Sequence, residues 1–205
     1  IGPDIMVYHL TCWIKEPGDQ TYVSWHQDGT YFFLEPAEHV TAWIALSDSS
    51  EVSGCLQVLP GSHRYGVLAH KKGETEGNLL SNGQYVDGID WTQAELLQVP
   101  SGQFTLHHTH LVHSSKPNWS ANRRIGIGVS YIPTRVRHTG LRRLTATLVR
   151  GEDRFDHFDP ETKPTRGYDA LARQHHADAI GRFFSGHGST RTRSEGNSED
   201  PDVDA

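Results

Sequence analysis

Between residues 5 and 133 the apolar residues arrive in short runs of alternating polarity, each closed by turn chemistry, and this punctuation leaves room for little besides strands. "IMVYHLTCWIK" (5–15) mixes aromatic and β-branched residues without a helical stripe and stops at Glu16-Pro17-Gly18-Asp19. "YVSWHQD" (22–28) reads as a second strand. In "HVTAWIAL" (39–46) Val40, Ala42, Ile44 and Leu46 share one face, and Thr41, Trp43 and Ala45 the other. "SGCLQVLPGSH" (53–63) is a short strand closed by Pro60-Gly61, and "GQFTLHHTHLVHSS" (102–115) and "RRIGIGVSYIPT" (123–134) continue the series. "WTQAELLQV" (91–99) fits a brief helix or another strand. The rhythm predicts a β sandwich or barrel of the jelly-roll kind.

After about residue 160 the texture changes. "GYDALARQHHADAIGRFF" has Tyr168, Leu171, Ala172, Ala179 and Phe183 at helical spacing, which predicts a C-terminal helix within 161–184. From Ser185 to Ala205 no apolar payload offsets the entropy of ordering the chain, so a disordered tail is expected. Residues 1–160 then form one β domain, for which 35% hydrophobic residues are sufficient. The first strand follows closely on Ile1-Gly2-Pro3, so an N-terminal portion is expected to precede it.

Composition narrows the function classes. A net charge of −6 argues against a nucleic-acid binder, which needs a basic face to neutralise phosphates. No apolar run is long enough for a membrane span. Two cysteines, Cys12 and Cys55, without CxxC spacing favour a reducing, cytoplasmic setting. Arg135, Arg137, His138, Arg142 and Arg143 either meet an anionic substrate or form a solvated charged loop, and the same choice holds for Lys71 and Lys72.

The fourteen histidines direct attention to metal chemistry. Side chains at i and i+2 of a strand share a face, so His26 and Asp28 can present an imidazole and a carboxylate together. A third ligand comes from His107, His108, His110 or His113. His113 is preferred because "HSSKPNWSANRR" leads from it through a small polar turn to an arginine that opens the next strand. Two histidines and a carboxylate on one face of iron(II) leave open positions for a bidentate 2-oxo acid and then O2. The far carboxylate of that acid calls for an arginine, which offers two parallel charge-assisted bonds. Arg124 shares its face with Gly126, Gly128 and Ser130, which leave room for a cosubstrate, whereas Arg123 shares the apolar face of Ile125, Ile127, Val129 and Tyr131, expected to pack against another layer.

Residues 26–63, "HQDGTYFFLEPAEHVTAWIALSDSSEVSGCLQVLPGSH", together with "LVHSSKPNWSANRR", resemble the phytanoyl-CoA dioxygenase family of iron(II)- and 2-oxoglutarate-dependent oxygenases over about residues 7–160. The chain departs from the family pattern at Gly102-Gln103 and at Ser53-Gly54-Cys55, neither of which is a ligand position. The resemblance implies a mainly β, double-stranded β-helix (jelly-roll, cupin-like) core with iron held by His26, Asp28 and His113. It implies 2-oxoglutarate held by Arg124 and Ser115, with Trp43 and the strand bearing His9, Thr11 and Trp13 lining the pocket. Tyr31 and Phe32 would sit close to cosubstrate or substrate. The implied reaction is hydroxylation of a small molecule with release of succinate and CO2; because Asp28 supplies the carboxylate that halogenases replace to admit chloride, chlorination is not expected.

Other readings remain at this point. The same ligands on a similar barrel can hold zinc or another divalent ion for hydrolysis or isomerisation, a reading with no need of Arg124 or O2. A silent binding protein would not need intact ligands. His107 is the reserve ligand, with a supporting or packing role preferred; His108 and His110 are expected at the surface. His9 is equally a substrate contact or a satisfied strand residue. The loop from His70 to Trp91 and the segment 135–143 are expected to cover the pocket mouth.

Overall fold

Residues 1–74, 76–80, 83–167 and 169–186 are described by the structure, a computed structural model. Its strands begin with β1 (Ile5–Lys15) and β2 (Val23–His26), followed by one helical turn, α1 (Gly29–Phe32). Then come β3 (Leu34–Glu35), β4 (Val40–Ala45), β5 (Leu56–Val58), β6 (His70–Lys72), β7 (Gln84–Val86) and β8 (Glu95–Leu97). The second half holds β9 (Phe104–His108), β10 (His113–Ser115), β11 (Arg124–Pro133), β12 (Arg137–His138), β13 (Thr145–Arg150), β14 (Asp159–Pro160) and the helix α2 (Ala170–Gly186).

Six strands form one sheet in the order β14, β13, β1, β11, β4, β9, and four form a second in the order β2, β10, β5, β8. Successive strands such as β1 and β2, or β4 and β5, fall in different sheets. The chain therefore winds back and forth between the two layers, the mainly β jelly-roll that the strand rhythm predicts.

Strand pairing lines up the inward residues of the larger sheet in rows. Thr11 of β1 pairs with Gly128 of β11, which pairs with Trp43 of β4; His9 pairs with Ser130, Ser130 with Thr41, and Thr41 with His107. Large side chains thus stand beside small ones. A Cβ on Gly126 would overlap the indole of Trp43, and one on Gly128 would lie 3.1 Å from Nε1 of Trp13. Apolar clusters close both ends of these rows. Met6, Tyr8, Ile132, Val136, Leu144, Ala146 and Phe158 pack at one end, and Trp43, Ala45, Leu56 and Val99 at the other. Each fully buried large side chain contributes roughly 1.5–3 kcal/mol. Between the clusters the rows are polar, and that is where the cavity lies.

Several expectations need correction. Strand β2 ends at His26, and Asp28 has helical backbone angles (φ −56, ψ −37) at the start of α1, so Tyr31 and Phe32 belong to a helical turn and not to a strand. Thr30 drives the turn by donating its hydroxyl to the Gln27 carbonyl at 2.8 Å. "GQFTLHHTHLVHSS" is two strands in different sheets, broken by a turn in which Leu111 N donates to the His108 carbonyl. Leu46 lies past the end of β4 and is exposed. "WTQAELLQV" is both things at once, a 3-10 turn at Trp91–Gln93 capped by Asp90 and then β8.

Of the outward apolar residues, Val129 is buried, whereas Ile125, Ile127 and Tyr131 are only half-buried and Leu10 and Ile14 of β1 are exposed, so this face is covered only in part. In α2, which Asp169 caps through the Leu171 N–H, the inward stripe is Ala172, Ala179 and Phe183, while Leu171 is exposed. Ser185 and Gly186 belong to the last turn of this helix. Tyr168 and the rest of the expected tail, 187–205, lie outside the described residues. The arginines of the 135–143 segment pair with acids: Arg135 with Glu38, Arg137 with Glu35, and Arg143 with Asp156 and Asp159; Lys71 pairs with Asp87. Among the described residues no helix is long and apolar enough to cross a membrane.

Gly126→Ala, which forces Trp43 out of its place, is expected to destabilise the fold by about 1–3 kcal/mol in urea unfolding. Gly181→Ala, on an open face of α2 with nothing near its Cβ, should instead be neutral or stabilising by about 0.5–1 kcal/mol.

Candidate metal centre

Strands β2 and β10 run antiparallel with His26 directly opposite His113. Their rings lie 4.1 Å apart between centroids, and Asp28 reaches in from the start of α1. Nε2 of His26 is 3.4 Å and Nε2 of His113 is 3.6 Å from Asp28 Oδ1. One ligand atom from each of the three residues lies within 4.8 Å of the others, so the group can hold a metal ion.

The orientation of each imidazole follows from its other nitrogen. Nδ1 of His26 is 2.9 Å from the Ser24 carbonyl, and Nδ1 of His113 is 2.9 Å from the Leu111 carbonyl. A carbonyl only accepts, so both Nδ1 atoms carry a proton, and both Nε2 atoms are turned toward Asp28. Such contacts also fix the ring planes before any ion arrives. Burial, with the neighbouring His26, lowers the His113 imidazolium to about 3, so this ring is neutral near neutrality. Burial opposes ionisation of Asp28, but His113, His107 and His26 outweigh it and hold its carboxyl well below the usual carboxylate range. Two imidazole nitrogens and one carboxylate are the donor set of a divalent transition metal.

Gln27, between the two candidate ligands in sequence, is fully buried and pins the segment. Its amide donates to the Gly66 and His110 carbonyls at 2.8 and 2.7 Å, and its oxygen accepts from Leu68 N at 2.8 Å. Its backbone N–H donates to His70 Nε2 at 3.0 Å. The bend at Asp28 is therefore braced from two segments, residues 66–70 and the turn at His110.

Asp28, His26 and His113 line a cavity of about 560 Å³, counting its open mouth. The same cavity receives Arg124, Ser115, Trp43, Thr11, His9, Trp13 and Phe32. Tyr31 is the exception among the sequence candidates: it packs edge-on against His26, outside the lining, and burial beside Asp28 pushes its phenol up to about 12. Arg124 is 1% exposed, whereas Arg123 is on the surface and paired with Glu16. The Arg124 guanidinium sits 5.4 Å from the Trp43 ring centroid and donates from Nη1 to the Gly54 carbonyl at 2.6 Å. Its Nε has no partner, and among the described residues no carboxylate pairs with it. A buried guanidinium left in that state fits an anion entering the cavity.

Sequence reasoning missed some contributors. Thr41 donates its hydroxyl to Asp28 Oδ2 at 2.7 Å, which leaves Oδ1 to the side of the two Nε2 atoms. With its proton committed, Thr41 accepts from His39 Nε2 at 3.1 Å, and burial lowers His39 to about 4. The signal was available, since Thr41 shares the inward face with Trp43. His107 lies beside the group of three, 3.4 Å from Asp28 Oδ2 through Nε2, although its strand does not run on to His113. His108 is exposed and His110 half-buried. Lys15, read only as the polar end of the first strand, is fully buried against Ser115.

Known proteins resemble this chain in sequence and in fold. A family model described as phytanoyl-CoA dioxygenase (PhyH) matches residues 3–126. The chain is 33% identical over 133 residues to a protein of Stutzerimonas stutzeri described as a probable alpha-ketoglutarate-dependent hypophosphite dioxygenase, covering 64% of this chain and 46% of that one. Among solved structures, the apo form of the non-heme monooxygenase ThoJ superposes with a TM-score of 0.79 at 29% identity, over 90% of this chain and 67% of that one. The non-heme alpha-ketoglutarate-dependent carbocyclase SnoK from nogalamycin biosynthesis gives 0.53 at 27% identity, over 67% of this chain and 53% of that one. The chain spans less than half the length of the first curated relatives it matches.

His113→Ala is expected to abolish tight divalent-metal binding, measured by anaerobic iron(II) or cobalt(II) titration against a chelator. Thr41→Val, which keeps the side-chain shape, should weaken it by about 10- to 100-fold. Unchanged affinity in both variants would remove the metal from this site.

Proposed function

Because the chain belongs to the phytanoyl-CoA dioxygenase family, we propose that it is an iron(II)- and 2-oxoglutarate-dependent dioxygenase that hydroxylates a C–H bond of a small molecule, releasing succinate and CO2. His26, Asp28 and His113 hold the iron, and Arg124 with Ser115 holds the distal carboxylate of 2-oxoglutarate. The observation that carries the reading is the pairing, across one cavity, of a His–Asp–His group with a buried arginine whose Nε has no partner.

Bound iron and cosubstrate supply the activation of O2 and the oxidising power for the C–H bond. The protein supplies geometry. The Nδ1 bonds of His26 and His113 to backbone carbonyls aim the Nε2 atoms at the metal position. Thr41 and Gln27 fix the carboxylate of Asp28. Trp43 covers one face of the Arg124 guanidinium, so the anion that reaches it meets little competing water. His9, Phe32 and Trp13 form the wall available to the substrate. Asp28 occupies the ligand position that a halide would need, which favours hydroxylation over chlorination.

The competing reading, a non-oxidative metalloenzyme on the same barrel, leaves Arg124 buried without a task. The two readings separate in one experiment. Anaerobic iron(II) protein titrated with 2-oxoglutarate is expected to develop a visible charge-transfer band, and admission of O2 with a panel of small metabolites should release succinate, with product mass reporting one added oxygen. Arg124→Ala should weaken cosubstrate binding by about 100-fold or more, two charge-assisted bonds at roughly 1.5 kcal/mol each. Wild-type protein with no band, or turnover that proceeds without O2, would overturn the proposal. A product that has lost two hydrogens without gaining oxygen would replace hydroxylation by ring formation or desaturation.

A further inference from the structure

Lys15 closes β1, in register with Arg124 across the β1–β11 pair, and none of it reaches solvent. Its ammonium group donates to the Ser115 hydroxyl at 2.8 Å, to the Ser115 carbonyl at 3.3 Å and to the Lys116 carbonyl. Three protons meet three acceptors, none of them a carboxylate. The nearest acid that acts on it, Asp19, has its carboxylate occupied by the N–H and hydroxyl of Thr21. Lys15 itself is not part of the cavity lining, whereas Ser115 and Arg124 are.

We propose that Lys15 is the positioning residue of the anion subsite: it turns the Ser115 hydroxyl proton into the cavity, and its charge joins that of Arg124 in selecting a 2-oxo acid with a second carboxylate. The proposal rests on the reading of the cavity as a 2-oxoglutarate site.

The chemistry runs as follows. A lysine ammonium has donors and no acceptor, so Ser115 Oγ must be the acceptor in the 2.8 Å contact. The hydroxyl proton then has to point elsewhere, and Ser115 lines the cavity that Arg124 shares. Without Lys15 the hydroxyl could rotate to donate to a backbone carbonyl, and an incoming carboxylate would meet a lone pair. Two buried cations without an anion between them also disfavour each other. Burial first, and Arg124 next, lower the Lys15 ammonium to about 7. An arriving carboxylate relieves that repulsion; an uncharged group does not. This differs from a purely structural tie, which would serve every ligand of the cavity equally.

The test compares two 2-oxo acids in anaerobic iron(II) protein, followed through the charge-transfer band: 2-oxoglutarate, and 2-oxobutanoate, which binds metal in the same way but lacks the distal carboxylate. In Lys15→Met the affinity for 2-oxoglutarate should fall by about 10- to 100-fold, as expected for lost hydrogen bonding to a charged group. Affinity for 2-oxobutanoate should stay within about two-fold. In a Ser115→Ala background the same substitution should cost much less, because the two residues act in series. Equal weakening for both acids, no weakening, or full additivity with Ser115→Ala overturns the role of Lys15. If Lys15→Met does not fold, Lys15→Gln, which keeps a donor without the charge, is read by the same comparison; failure of both to fold marks a structural lysine and also overturns it. Wild-type protein that gives a band with neither acid overturns the reading of the site, a result separate from any of these.

Discussion

A guanidinium buried without an acidic partner is the constraint around which this fold is arranged. Taking Arg124 out of water costs several kcal/mol after relaxation. Part is returned by the Gly54 carbonyl and by the Trp43 face. That stack needs glycine at 126, since any Cβ there would overlap the indole. Trp43 in turn anchors the apolar cluster with Ala45, Leu56 and Val99. The composition of β11, glycines alternating with isoleucines, is therefore a consequence of the charge it carries at its first residue.

The second requirement is that ligands from separate segments meet with the right atoms forward. His26 and His113 are brought together by strand pairing in the smaller sheet. Asp28 comes from a helical turn, and Thr41, which orients it, comes from the larger sheet. The site thus straddles both layers, and each side chain is held by a bond to backbone or to another polar side chain. Gln27 links them mechanically: its four bonds hold the peptide between two candidate ligands against segments near residues 66–70 and 110.

Much of this was legible in the sequence because a strand has a period of two. Alternation separated Arg124 from Arg123 and put Gly126, Gly128 and Ser130 on its face, while Thr11, Trp13 and Trp43 came to the pocket through the family resemblance. It failed where the backbone leaves the strand. His26 and Asp28 were read as neighbours on one strand face, yet they meet because the chain turns helical at Asp28. His107 and His113 were related through an unbroken strand, yet they face each other from opposite sheets, 4.8 Å between ring centroids. Lys15 belongs to no motif that singles it out; alternation with Thr11 and Trp13 points it inward, but only the contact with Ser115 reveals why. The inward stripe of α2 was visible, although Leu171 falls outside it, since helical spacing does not say which turn meets the sheet.

The two apolar clusters at either end of the inward rows have a further meaning. Stability is concentrated in Met6, Ile132, Phe158, Leu56 and their neighbours, and although Trp43 and Leu56 also face the cavity, much of its wall is threonine, serine, histidine and glycine, residues that contribute little apolar burial. Exchanges at the cavity wall draw little from the free energy that keeps the sheets together. A barrel divided in this way can acquire new substrates through changes at a polar wall position such as His9 while its frame stays as it is, whereas Phe32 and Trp13 also pack against the clusters.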